Sequence, residues 1–291
     1  MKNIFAKPGV FLEMIKFEHS IFALPFAYVG LFMAEKKVPG FFVFAWVTIA
    51  MVSFRTTAMS LNRILDAAID ARNPRTRLRA LPSGKLNKAT VWAVAIVSFL
   101  VFETSAYQLG MLCLLLTPVP VILAFIYPLM KKVSWLSHFV LGAVLGIAPY
   151  GAWIACRGTF DLVPALLSLG VLFWVAGFDM IYALQDVEFD RAEKLHSFPA
   201  AFGQDLTLAA SKILHLLSVI LWALAGYFNG SGTAFFVGVL LAALFLNREY
   251  RLVRSFGVAK LNEAFFFMNA VVSIMLFLAT VFDITLKGSV L

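Results

Sequence analysis

Long apolar runs dominate this chain, each interrupted by a short stretch of charged residues or of glycine and proline. About 20 mainly apolar residues are enough for an α-helix to cross the ~30 Å hydrocarbon core of a bilayer. Division at the charged and Gly/Pro-rich breaks gives nine runs: 19–34, 41–62, 90–108, 111–129, 136–156, 162–184, 207–228, 233–247 and 264–286. The pattern predicts an all-α fold, an integral membrane bundle of nine transmembrane helices, with residues 1–291 forming one transmembrane domain. Composition agrees, since 62% of residues are hydrophobic and 14% charged, against roughly 45–50% apolar in soluble domains.

Cation placement tests the topology, because one helix more or fewer would exchange the sides of every later loop. With the N-terminus cytoplasmic, nineteen of the 24 Lys and Arg residues fall inside; four fall outside and Arg55 lies within a span. The net charge of +8 is thus mostly topological, and nucleic acid is not an expected partner. Glu13, Lys16, Glu18 and His19 interrupt the region where a signal peptide would need its apolar core, so the first helix is expected to remain as an anchor. The first arginine is Arg55, which argues against an Arg-rich transit peptide. The expected location is a bacterial inner (plasma) membrane, multi-pass, with membrane lipid as the surrounding partner.

Two acid motifs stand where apolar runs meet basic loops on the predicted cytoplasmic side. NRILDAAID ends in Asp66 and Asp70, and YALQDVEFD carries Asp186 and Asp190. In each the acids are four apart, so a helix continuing through them would present both on one face. The helix C-terminus is the negative end of the macrodipole, and a cation is expected to relieve the crowding of charge. Arg55 and Asp179 lie seven residues before Asn62 and Asp186, about two turns deeper. Ionisable groups at such depth are costly and mark a site or a paired contact. Two polar stripes result, Arg55–Asn62–Asp66–Asp70 and Asp179–Tyr182–Asp186–Asp190. If their helices face one another, they enclose a polar cavity open to the cytoplasm. A structural ion pair between Arg55 and Asp179 is the plainer alternative.

Magnesium takes one or two carboxylates together with substrate phosphates and waters. Two carboxylate pairs facing a basic loop therefore fit a diphosphate bridged by two Mg²⁺ ions. Arg72, Arg75, Arg77 and Arg79 after the first motif, and Lys131 with Lys132 in YPLMKK, supply cations for a clamp. Tyr127 is a candidate to point its hydroxyl inward. The four histidines have no metal-ligand spacing, so zinc is not expected.

In this order and spacing, NxxxDxxxD, RNPRTRLRALPSGK, YPLMKK and DxxYALxDxxxD resemble the UbiA superfamily of intramembrane aromatic prenyltransferases. The resemblance covers nearly the whole chain and is closest to the 4-hydroxybenzoate polyprenyltransferase branch. KFEHSIFALPFA and NRILDAAIDARNPRT look closer still to the prenyltransferase of the futalosine route to menaquinone, whose acceptor is a dihydroxynaphthoic acid. One position departs from the pattern: Arg63 stands where many members carry aspartate after the asparagine, so the family's roles do not carry over there and Arg63 becomes a candidate diphosphate contact.

The resemblance implies Mg²⁺-dependent transfer of a polyprenyl group from polyprenyl diphosphate to an aromatic hydroxy acid, 4-hydroxybenzoate or 1,4-dihydroxy-6-naphthoate, in ubiquinone or menaquinone biosynthesis. Asn62, Asp66, Asp70, Asp186 and Asp190 would hold the metal. Arg72, Arg79, Lys131 and Lys132 would stabilise diphosphate charge, and Arg55 would take the acceptor carboxylate. Asp179 or Tyr182 would orient the phenol or take its proton. Two rivals are a CDP-alcohol-type phosphotransferase, whose acids would gather in one continuous motif, and an ion-coupled transporter, whose acids would lie near mid-bilayer in broken helices.

Overall fold

A computed structural model of the chain describes residues 8–16, 20–256 and 261–288. His19, where the first predicted span begins, and the cations Lys2, Lys7 and Lys260 lie outside the described residues. Among the described residues every regular element is helical: α1 (Pro8–Met14), α2 (Ser20–Glu35), α3 (Phe41–Arg72), α4 (Lys88–Leu109), α5 (Met111–Leu116), α6 (Pro118–Met130), α7 (Ser137–Arg157), α8 (Leu162–Tyr182), a 3₁₀ turn (Ala183–Asp186), α9 (Val187–Ala192), α10 (Phe198–Asn229), α11 (Thr233–Phe256) and α12 (Leu261–Gly288). By length and composition seven helical segments of the described residues can cross a membrane, with Ala23–Glu35 and Thr233–Arg248 as shorter apolar helices.

Local chemistry sets the ends. Asn87 caps α4 by accepting from the Thr90 amide at 2.7 Å, and Asp161 caps α8 by accepting from Leu162 N at 2.8 Å, which satisfies amides that a helix start leaves without partners. Gly110, at φ 128°, turns α4 into α5 through a conformation that L side chains avoid. The predicted run 111–129 is broken at Thr117, where Pro118 cannot continue the preceding hydrogen-bond pattern. Two expected ends also move outward. α3 continues ten residues past 62, and α10 begins at Phe198 with a kink at Gly203 (φ 80°, ψ 175°).

The core is built on α8. Its Trp174 packs with Phe26 of α2 and Trp222 of α10 at ring-centroid distances of 5.0 and 6.2 Å. On its other side α7 approaches so closely that a Cβ on Gly142 or Gly146 would collide with the backbone of Leu172 or Ser168, the small-residue contact by which helices associate in lipid. α3 packs instead on α4 and α6. The two acid-bearing helices thus stand on different partners, with a cavity of about 1520 Å³ lined from both. Asp66, Asp70 and Asp186 line its wall together with many apolar residues such as Val47, Leu109, Leu169 and Phe160.

Candidate active site

The uninterrupted α3 places Asn62, Asp66 and Asp70 along one face, as the spacing predicts, and Asn62 Nδ2 donates to Asp66 Oδ2 across one turn at 2.9 Å. Asp70, 5% exposed, accepts from Arg79 Nη1 at 2.7 Å. Its second oxygen is buried without a hydrogen-bond partner.

The second motif is held differently. α8 ends at Tyr182, and the chain tightens into the 3₁₀ turn, where Gln185 Nε2 donates to the Tyr182 carbonyl at 3.3 Å. The stripe Asp179–Tyr182–Asp186–Asp190 is therefore not one straight helical face. Arg75 grips Asp186 with two parallel bonds, Nε to Oδ1 at 2.9 Å and Nη2 to Oδ2 at 2.5 Å, the bidentate geometry that suits a guanidinium. Asn73 Nδ2 adds a third at 3.0 Å. Burial lowers the pKa of the Arg75 guanidinium, but the Asp186 hydrogen bonds and charge more than offset it, leaving the pKa above the ordinary arginine value. Asp190 is fully buried; Lys131 Nζ lies 2.8 Å from Oδ1 and Ser197 Oγ donates to Oδ2 at 2.7 Å.

The remaining sequence candidates separate into wall residues and outsiders. Arg55, Arg63, Tyr127 and Asp179 line the cavity. Arg63, 7% exposed, donates through Nε to the Met14 carbonyl at 3.2 Å, and Arg55 Nη2 lies 3.4 Å from the Lys16 carbonyl; the two arginines thus reach the end of α1 and the turn after it, whose Met14 and Lys16 also line the cavity. Asp179 pairs with His138 Nδ1 at 2.7 Å rather than with Arg55. Tyr182 lines the wall, accepts from Arg75 Nη1 at 3.1 Å and lies under that guanidinium. Arg72 instead pairs with Glu193 at 3.0 Å with its side chain 59% exposed. Lys132 is exposed and does not line the cavity. Asn73 and Ser197 carry no signal in the sequence, His138 stands out there only as one of four histidines without metal-ligand spacing, and Arg75 only as one cation among four.

Oxygen donors alone suit a hard divalent ion, and the unpartnered Asp70 Oδ2 is an acceptor awaiting a donor or a cation. Among the described residues no three acid, histidine or cysteine side chains converge tightly enough to cage an ion by themselves. That accords with magnesium, which needs few carboxylates when phosphates and waters complete its shell. Asn62, Asp66 and Asp70 on one side and Asp186 on the other line the cavity as oxygen donors that fit such an ion, whereas Asp190 is not on the cavity wall and is held by Lys131 and Ser197.

The UbiA prenyltransferase family model matches residues 23–271. A 4-hydroxybenzoate octaprenyltransferase of Francisella tularensis subsp. novicida is 27% identical over 237 residues, covering 81% of this chain and 83% of the relative. A protein of the same name from Serratia proteamaculans is 28% identical over 221 residues, 76% of each chain. The apo structure of a UbiA homolog from Aeropyrum pernix K1 superposes with TM-score 0.84 at 33% identity, covering 91% of this chain and 98% of that one. A UbiA homolog from Archaeoglobus fulgidus bound to GPP and Mg²⁺ shares the fold, with TM-score 0.75 at 16% identity over 95% of this chain and all of that one.

Proposed function

Because the chain belongs to the UbiA prenyltransferase family, we propose that it is an Mg²⁺-dependent aromatic prenyltransferase, transferring a polyprenyl group from its diphosphate to an aromatic hydroxy acid. The observation that carries this reading is the cavity itself: Asp66 and Asp70 of the first motif, Asp186 of the second and the cations Arg75, Arg79 and Lys131 line one space, while much of its wall is apolar enough to hold a polyprenyl tail. At about 1520 Å³ it exceeds the roughly 300–1,000 Å³ of a single small-ligand site, in keeping with two substrates. The solved relative with GPP and Mg²⁺ supports the donor class and the metal. The names of the bacterial relatives favour 4-hydroxybenzoate over 1,4-dihydroxy-6-naphthoate as acceptor. The clustering of cations on one side and these bacterial relatives support an inner-membrane enzyme with a cytoplasmic active site. Neither a phosphotransferase nor a transporter draws support from any of these likenesses.

Asn62, Asp66, Asp70 and Asp186 would hold Mg²⁺, which when bound supplies Lewis-acid charge to the diphosphate. Arg75, Arg79 and Lys131 already lie on the motif acids and add fixed positive charge where the leaving group develops negative charge. The allylic C–O bond breaks with its electron pair on the diphosphate. A ring carbon ortho to the phenol supplies the pair for the new C–C bond, and a ring proton is lost to restore aromaticity. Arg55 binds the acceptor carboxylate, which a permanently charged planar guanidinium matches. Tyr182 is engaged by Arg75, at the diphosphate end, so Asp179 is the residue that orients the phenol and takes a proton.

The test incubates purified protein in detergent with Mg²⁺, geranyl diphosphate and either acid, and reads product by mass. Product with 4-hydroxybenzoate is expected. Product with the naphthoate alone would move the acceptor, and no Mg²⁺-dependent diphosphate binding would overturn the reading. Arg55→Ala should raise acceptor KM about tenfold while leaving diphosphate affinity unchanged, the loss of one charged hydrogen-bonding partner; an unchanged KM removes Arg55 from that role.

A further inference from the structure

His138, the second residue of α7, is 2% exposed and has both ring nitrogens engaged. Nε2 lies 3.2 Å from the backbone N–H of Phe198. A backbone amide can only donate, so Nε2 carries the lone pair and the ring proton sits on Nδ1. Nδ1–H then donates to Asp179 Oδ2 at 2.7 Å, leaving Oδ1 for the cavity that Asp179 lines.

The same dipeptide serves both ends of the site. Ser197 stands at the N-cap of α10 yet makes no side-chain cap, because its hydroxyl goes to Asp190 at 2.7 Å. The uncapped start of α10 is bound instead by His138 through the Phe198 amide. Two further contacts brace the arrangement: His196 N donates to the Lys131 carbonyl at 2.7 Å, and Trp135 meets Phe198 edge-on at 5.5 Å. Ser197–Phe198 thus connects the acid beside Lys131 to the acid on the acceptor side.

We propose that His138 is a positioning residue for prenyl transfer: anchored by the Phe198 amide, it fixes the rotamer of Asp179 so that one carboxylate oxygen meets the acceptor phenol. This rests on the assignment of Asp179 made above. Such outer hydrogen bonds commonly govern how well a reacting group is placed.

The test measures geranyl transfer to 4-hydroxybenzoate by His138→Ala, His138→Gln, Asp179→Asn and the double variant Asp179→Asn/His138→Ala, with binding of Mg²⁺–geranyl diphosphate as a second readout. His138→Ala should lose on the order of 10- to 100-fold in kcat, the loss of a hydrogen bond to a charged group, with diphosphate affinity unchanged. Glutamine offers an amide donor to Asp179 and an oxygen to Phe198 N, and should recover most of the rate. In the Asp179→Asn background, removal of His138 should change kcat by less than about twofold, as expected when one residue acts only through another. Normal kcat in His138→Ala beside an impaired Asp179→Asn would overturn the proposal while sparing Asp179. A further loss in the double variant, or lost diphosphate binding, would also overturn it by marking a general structural role. Normal turnover in Asp179→Asn would overturn the assignment of Asp179, and this proposal with it.

Discussion

The two acid motifs share one spacing and are held in opposite ways. Motif one rides on a single continuous helix, and its contacts are local: Asn62 to Asp66 one turn apart, and Asp70 to Arg79 nine residues on. Motif two begins where α8 has ended, and most partners of its acids come from distant parts of the chain, Asn73 and Arg75 for Asp186 and Lys131 for Asp190, with Ser197 alone nearby in sequence. The first is a ledge that exists once α3 forms; the second requires the folding of three separate connections. The first also keeps spare capacity in Asp70 Oδ2, whereas Asp186 is fully engaged.

The largest expected effect ignores this difference. Asp66→Ala and Asp186→Ala should each reduce transfer by at least about 10²–10³-fold, the scale of losing one electrostatic element of a catalytic site, while the protein still inserts; near-normal turnover in either would remove that motif from the chemistry. The next effect divides the motifs. Arg75→Ala should lower thermal stability in detergent by about 1.5–3 kcal/mol, since buried Asp186 loses a charged partner, and Arg75→Lys should not restore it because an ammonium lacks the fork. Full rescue by lysine would mean that charge alone holds motif two. Smaller still, Ser197→Ala should cost about 1–2 kcal/mol and Asn62→Ala about 0.5–1 kcal/mol, since only the former strips a partner from a fully buried acid. The reverse order in parallel melts would break the comparison. Least affected should be Arg72→Ala, whose pairing with Glu193 is a surface contact; turnover should stay within about twofold, and a larger loss would draw Arg72 into the site.

What could be read from the sequence follows the same division. Apolar runs placed the long helices, and the NxxxDxxxD spacing placed three residues of motif one, because both depend on periodicities that neighbouring residues satisfy alone. The ends shifted where composition changes: the apolar run stops at 62 while α3 continues through both acids to Arg72, and FPAAF before Gly203 joins α10 although it precedes the run expected there. Glu103, an acid within α4, went unremarked; it lies 3.1 Å from Thr117 Oγ1, beside the break between α5 and α6. Asn73, Arg75 and His138 were beyond periodicity, since Asn73 and Arg75 find Asp186 more than a hundred residues away and His138 finds Asp179 across 41. Ser197 is only seven from Asp190, but no helical spacing links them, since α9 ends between the two.

The pairing of Asp70, Asp186 and Asp190 with Arg79, Arg75 and Lys131 also bears on how such a protein is made. Uncompensated carboxylates beside a bilayer are expensive, and a protein that relied on metal ions to neutralise them would be tied to metal supply while it was being threaded into the membrane. Here the chain carries its own counter-charges on connections that form as the bundle closes. If the chain binds Mg²⁺ as proposed, its insertion would not have to wait for the metal, unlike the small metal-dependent domains that fold only when their ion arrives.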